Sequence, residues 1–211
     1  MEKINAVITG IGGYVPEYVL NNDELSRMVD TNDEWIMTRI GVKERRILNE
    51  EGLGTSYMAR KAAKQLLQKT GVNPEDIDCV IVSTSTPDYH FPSVASIVIG
   101  KLGLTNAFAY DLQAACSGFL YALSTATAYI ESGIARKILV IGADAMSKIT
   151  NWEDRGTCIL FGDGAGAAVL TAASTGLMAF DLGTSGRDGG SLTCPFGTDP
   201  EELPYIHMDG R

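Results

Sequence analysis

The chain has 211 residues, 45% hydrophobic and 20% charged, with 17 Lys and Arg against 26 Asp and Glu and a formal net charge of −9. Such a composition excludes a disordered, collagenous or coiled-coil chain, and the length suits one domain, or one and part of another. The acidic balance argues against duplex nucleic acid or an anionic membrane as a main partner, because phosphate is bound by clustered Lys and Arg.

The first residues lack the apolar run and small-residue cleavage site of a signal peptide, and no stretch approaches the roughly eighteen apolar residues of a membrane span. Residues 4–11 form a β-branched apolar run that predicts a strand. Thr55 or Ser56 can cap a helix in which Met58, Ala59, Ala62, Ala63, Leu66 and Leu67 keep helical spacing, with Gly71 at the C′ position. A strand at 79–83, a helix over 92–102 ended by Gly103, a strand at 108–112 and a helix over 117–132 stopped by Gly133 follow in turn. The small residues Ala122, Ala126 and Ala128 in that helix predict close packing. Strands at 137–142 and 166–170 come next, before a glycine-rich loop at 183–190 and an irregular stretch at 195–204.

This alternation predicts an α/β fold whose strands are covered on both faces. The chain then stops at Met208-Asp209-Gly210-Arg211 without a capped helix or charged tail, so the expectation is a fragment or one piece of a cleaved polypeptide.

The four cysteines, Cys79, Cys116, Cys158 and Cys194, contain no CxxC pair and have only His90 and His207 as companions, so no zinc site is expected. A disulfide framework is equally unexpected in so long a chain, which predicts reduced thiols and a cytoplasmic location. Cys79 and Cys158 read as core and Cys194 as a surface thiol. Cys116 stands where an apolar strand runs into a helix. A thiol there feels the positive end of the helix dipole, which favours thiolate, and the same turn's backbone amides could hold an oxyanion. The alternative is a small buried hydrophobe, and position alone leaves both open. Gly10-Ile11-Gly12-Gly13-Tyr14-Val15 has valine where a dinucleotide fingerprint needs its last glycine, and neither a phosphate-loop nor a GxSxG string occurs.

Five motifs carry a resemblance. They are Asp30-Thr31-Asn32-Asp33-Glu34-Trp35-Ile36-Met37-Thr38-Arg39-Ile40-Gly41, His90-Phe91-Pro92-Ser93, Ala114-Ala115-Cys116-Ser117-Gly118-Phe119, Asp154-Arg155-Gly156-Thr157 and Phe161-Gly162-Asp163-Gly164-Ala165-Gly166-Ala167. In this order and at these intervals the chain resembles the N-terminal portion of β-ketoacyl-acyl-carrier-protein synthase III, a condensing enzyme of the thiolase superfamily. The cysteine motif alone would also admit chalcone-synthase-like enzymes and hydroxymethylglutaryl-CoA synthase.

The resemblance implies a thiolase-like layered α-β-α fold, with residues 1–172 as its N-terminal half and 173–211 as the start of a truncated C-terminal half. It implies a homodimeric acyltransferase that needs no cofactor, acyl-CoA being a substrate and malonyl-acyl-carrier protein the second one. Cys116 would accept the acyl group as a thioester. Trp35 and Arg155 match the pair that sandwiches the CoA adenine, Arg39 a phosphate contact and Thr31 another CoA contact. Phe91 matches a residue that reaches into the partner subunit's acyl pocket, and Met146 and Phe161 match other pocket positions. Without the family, Trp35 reads as a core anchor, the two arginines as solvated charges and the pocket residues as core. The family's catalytic His-Gln-Ala-Asn and Gly-Asn-Thr/Ile-Ser strings are both missing from this sequence. His90 matches no catalytic position, and His207 matches a stretch well before the catalytic histidine. A non-catalytic dimerisation or binding module is the reading from a different class.

Overall fold

The computed structural model describes residues 4–176, 179–186, 189–196 and 203–209. Of the loop read at 183–190, Arg187 and Asp188 lie outside the described residues, as do 197–202 and the terminal Gly210 and Arg211. The chain divides into two units. One comprises the described residues of Met1–Val15, Glu50–Asp144 and Gly164–Leu182, and the other those of Pro16–Asn49, Ala145–Asp163 and Gly183–Arg211.

In chain order the elements are β1 (Asn5–Tyr14), β2 (Val19–Asn21), α1 (Asn22–Leu25), α2 (Asp33–Ile40), β3 (Glu44–Arg46), α3 (Thr55–Thr70), β4 (Cys79–Ser83) and α4 (Val94–Leu102). They continue with β5 (Phe108–Leu112), α5 (Gly118–Glu131), β6 (Lys137–Ala145), β7 (Asp163–Ala173), β8 (Leu192–Thr193) and β9 (His207–Met208).

The first unit is built on a mixed sheet of order β1-β7-β6-β4-β5. β4 is its parallel centre, with Cys79 opposite both Phe108 and Ile138, and β1 runs antiparallel to β7. Successive side chains point to opposite faces, so the run Cys79-Val80-Ile81-Val82 serves two cores. Val80 and Val82, with Leu139 and Ile141 of β6, pack under α3 and α4. Cys79 and Ile81, with Ile138 and Val140, pack against Ala122, Ala126 and Ile130 of α5. That double duty explains the unbroken hydrophobic reading of 79–83 and 137–142.

Four expectations change. β1 and β5 are partly exposed rather than covered on both faces, because they end the row in this chain. β1, β6 and β7 each run beyond their apolar stretch. Ladder pairing carries β1 through Gly12 and Gly13 to Tyr14, opposite Ala165. α3 is capped neither by Thr55 nor by Ser56. Gly54 is its N-cap residue and the carboxylate of Asp88 accepts from the Ser56 N–H at 2.8 Å, while the Thr55 hydroxyl turns to the Thr86 carbonyl. α4 starts at Val94, two residues later than expected, with Ser93 as its cap. The predicted stops hold: Gly71, Gly103 and Gly133 all adopt positive φ.

The second unit centres on Leu20, Leu25, Ile36, Ile47, Cys158 and Ile159. Arg45, 4% exposed, runs through it. Its guanidinium donates to Asn22 Oδ1 at 3.0 Å and the Ile159 carbonyl at 2.8 Å, tying β3 to the 154–161 segment.

Candidate active site

In the first unit, β5 passes through Gln113 and Ala114 into a short 3-10 turn, Ala115–Ser117, from which α5 departs. Ala115 has φ 44, the one non-glycine residue among the described ones in that half of conformational space. A left-handed alanine costs about 1–2 kcal/mol, so tertiary packing holds the turn in place. Gly118 is part of that packing: a Cβ there would lie 2.0 Å from the Ser83 hydroxyl at the end of β4. Cys116 follows the strained alanine directly and is exposed, whereas Cys79 and Cys158 are buried, as expected. The N–H groups of Ser117 and Gly118 are already bonded to the Ala114 and Ala115 carbonyls, so these two amides are not open oxyanion donors.

Two carboxylates brace this edge of the sheet, and neither was singled out by motif. Asp111 of β5 accepts from the N–H groups of Val94 and Ala95 at 2.7 and 2.8 Å, which pins the start of α4. Asp144 of β6 accepts through one oxygen from Thr84 Oγ1, the Ser85 N–H and Thr86 Oγ1 at 3.2, 2.7 and 3.1 Å. Burial pushes both carboxyls above the ordinary range, against hydrogen bonds that pull them down. Phe91 stands just before α4 and is 85% exposed. A free phenyl ring so open to water suits a side chain that finishes its packing elsewhere.

In the second unit, Asn32 caps α2 by accepting from the Trp35 N–H at 2.8 Å. The Arg155 guanidinium lies 4.6 Å from the Trp35 ring centroid and that of Arg39, one turn along α2, lies 5.5 Å away. Asp154 holds the Arg155 turn by accepting from the Gly156 N–H at 2.9 Å and the Thr157 hydroxyl at 2.7 Å. Asp30 pairs with Arg155 at 3.7 Å, and the buried hydroxyl of neighbouring Thr31 has no hydrogen-bond partner among the described residues. The structure thus brings Trp35, Arg39 and Arg155 together with a polar atom still to be satisfied beside them. Arg155 rests on the indole itself, so a flat base enters only if the guanidinium lifts by about one ring thickness, roughly 3.5 Å.

Met146 and Phe161 are half-buried on the turn after β6 and the loop before β7. Asp163 joins these segments: its carboxylate accepts from the Ser147 N–H at 2.8 Å, the Ser147 hydroxyl at 2.6 Å and the Leu48 N–H at 2.7 Å. Nothing in the Phe161-to-Ala167 string announced that role beyond an acid set among apolar and small residues. A cleft of about 270 Å³ in this unit is lined by Tyr18, Leu20, Met28, Ile47, Lys148 and Trp152 among others, but not by Met146 or Phe161. Among the described residues no group of His, Cys, Asp and Glu could hold a metal ion, and no helix is long and apolar enough to cross a membrane.

Residues 110–186, which include Cys116, Arg155 and Phe161, match the family described as 3-oxoacyl-[acyl-carrier-protein (ACP)] synthase III. The whole chain is 63% identical to a β-ketoacyl-[acyl-carrier-protein] synthase III of Phocaeicola vulgatus, covering 66% of that protein. It is 47% identical to the synthase of the same name from Azobacteroides pseudotrichonymphae, over 100% of this chain and 67% of that one. The chain belongs to the β-ketoacyl-[acyl-carrier-protein] synthase III family. Among solved structures, 3-oxoacyl-[acyl-carrier-protein] synthase III of Aquifex aeolicus superposes with TM-score 0.89 at 44% identity, covering 97% of this chain and 65% of that one. The priming β-ketosynthase of the R1128 polyketide pathway superposes with TM-score 0.93 at 36% identity, covering 99% and 64%. The fold is therefore the thiolase-like one expected. The chain spans about two thirds of the length of the curated relatives it matches, 66% for the first of them.

Proposed function

We propose that this chain carries the acyl-accepting centre of a β-ketoacyl-[acyl-carrier-protein] synthase III that starts fatty acid synthesis. The Cys116 thiolate attacks the carbonyl carbon of a short acyl-CoA, a new C–S bond forms, and the bond to the CoA sulfur breaks as CoA leaves with the electron pair. In the second half-reaction malonyl-acyl-carrier protein loses carbon dioxide, its carbon attacks the thioester, and the cysteine sulfur leaves to yield a 3-oxoacyl product. The exposed sulfur of Cys116, set after a strained alanine at the head of α5, carries this reading.

Trp35 and Arg155 take the CoA adenine, with Arg39 on a phosphate and the Thr31 hydroxyl supplying a further contact. An aromatic face and a planar guanidinium both stack on a base. Phe91, Met146 and Phe161 line acyl pockets, Phe91 that of the partner in a homodimer. Residues 1–172 form the N-terminal half of the duplicated architecture and 173–211 open the second. The enzyme is cytoplasmic and uses acyl-CoA as substrate, without a separate cofactor. Polyketide priming is the second reading, favoured by the close superposition on the R1128 enzyme.

Incubating the chain with radiolabelled acetyl-CoA tests the first half-reaction. Label should appear on the parent chain and not on Cys116→Ala; an unlabelled parent sinks the proposal in favour of a binding module. Without the family's histidine and asparagine strings, the chain alone should give no labelled 3-oxoacyl product, since each missing donor to the developing enolate is worth about 3 kcal/mol.

A further inference from the structure

Charge is unevenly spread over this acidic molecule. α3 and α4 together carry Arg60, Lys61, Lys64, Lys69 and Lys101 and no Asp or Glu, in a chain with 26 acids to 17 bases. Both helices cover the same face of the sheet, so their outer side is a basic layer. Lys69 and Lys101 sit in last turns, where a cation offsets the helix dipole. That reason does not extend to Arg60 and Lys64, which lie earlier in α3, about 6 Å apart along its axis.

Arg60, Lys64 and Lys101 converge on one groove of about 330 Å³ between the two helices, together with Gln68 and an apolar floor of Leu67, Leu102 and Pro74. No acidic residue lines it, and none of the three cations forms an ion pair among the described residues. Three like charges around a single concavity repel one another, and an anion seated among them removes that repulsion. Topology sets the groove apart from Cys116. α3 begins beside Thr86, just past the end of β4, and α4 begins beside Asp111, near the end of β5, so both helices start at the sheet edge that carries Cys116. On α4 the groove takes in the last turn, and on α3 it runs from Arg60, about 8 Å past the helix start, to Gln68 in the last turn.

We infer that the α3–α4 groove is a second ligand site, for a small molecule bearing a chain of phosphates, with Arg60, Lys64 and Lys101 as its charged contacts. The guanidinium supplies a planar fork and the two ammonium groups supply point charges, a pairing suited to adjacent phosphoryl groups. Leu67, Leu102 and Pro74 would seat any apolar body attached to them. The inference stands whether or not Cys116 is acylated.

Calorimetric titration of the full chain with inorganic tripolyphosphate tests it. Binding should weaken about tenfold in each of Arg60→Gln, Lys64→Gln and Lys101→Gln, as expected for loss of one charge-assisted contact. Because Lys64 and Lys101 are exposed, these two variants should melt like the parent. Arg155→Gln should bind tripolyphosphate as the parent does. In that variant, ATP binding more tightly than tripolyphosphate assigns the apolar floor to an organic phosphate, and equal binding assigns the groove to inorganic polyphosphate. Absence of binding overturns the inference. So does binding lost in Arg155→Gln but kept in Lys64→Gln, and so does a preference for polyglutamate, which would make the face a docking surface for acidic protein instead.

Discussion

Replacing Asp163 with alanine tests how the second unit holds its loops. The carboxylate is the acceptor for the Leu48 N–H, the Ser147 N–H and the Ser147 hydroxyl, at 2.7, 2.8 and 2.6 Å. Leu48 and Ser147 are 1% and 8% exposed, so truncation leaves two amides that water reaches poorly. Each orphaned amide costs about 1–3 kcal/mol, while the hydroxyl can turn elsewhere. Removing a buried charge gives some of this back, so the expected loss is about 3 kcal/mol, a large share of the roughly 5–15 kcal/mol that holds a domain together.

Both tryptophans of the chain, Trp35 and Trp152, belong to the second unit, so tryptophan emission during urea unfolding follows that unit alone. Far-UV circular dichroism is dominated by the long helices and five-stranded sheet of the first. With a urea slope of about 1–3 kcal/mol per molar, the emission midpoint should fall by about 1–3 M, and the dichroism midpoint by less. Asp163→Asn keeps one acceptor and should lie between the parent and alanine. An unfolding free energy from the emission curve within about 0.5 kcal/mol of the parent's for Asp163→Ala would show that these hydrogen bonds do not hold the loops, and the reasoning would fail.

Thiol labelling of the folded chain should reach Cys116 and Cys194, which are exposed, and spare Cys79 and Cys158, which are buried. Burial pushes the Cys79 thiol up to about 12, so it stays protonated and unreactive until the chain unfolds; native-state labelling of Cys79 on the same timescale would contradict the packing described. Asp144 predicts a pH effect. Burial raises its carboxyl, so the native state keeps the proton at a pH where the unfolded chain has released it. The stability it contributes is complete below the ordinary carboxylate pKa and lost as pH rises through the native one. Asp144→Asn retains an acceptor for Thr84, Ser85 and Thr86 and removes the titration, so its stability should fall less than the parent's between acid and neutral pH. Parallel curves for parent and variant would speak against this assignment.

The core was legible wherever one residue's environment follows from its neighbours in sequence. A five-residue apolar run bounded by polar residues could only be a covered strand, and 79–83 is one to the residue. Glycine after an amphipathic stretch ended three helices because φ is positive there and only glycine takes it without cost. Cys116 was placed at a strand-to-helix junction by the same local logic. What could not be read were contacts between residues distant in the chain. Asp88 reaches α3 across 32 positions, Asp144 reaches the end of β4 across about sixty, and Asp163 reaches Leu48 across 115. A lone aspartate looks the same in sequence whether it faces water or satisfies three buried donors.

The same limit applies to the site. A base clamp of Trp35 and Arg155, with Arg39 on a phosphate, was implied by the family resemblance alone; by themselves the residues read as a core anchor and two solvated charges. That Arg155 rests on Trp35, that Asp30 holds it there, and that two of the amides at the head of α5 are already spent were decided by the folded backbone. Local chemistry is written in the order of residues. Which donor meets which acceptor is settled only when packing brings remote segments within hydrogen-bond range, and burial then makes each unmet polar group too costly to leave alone.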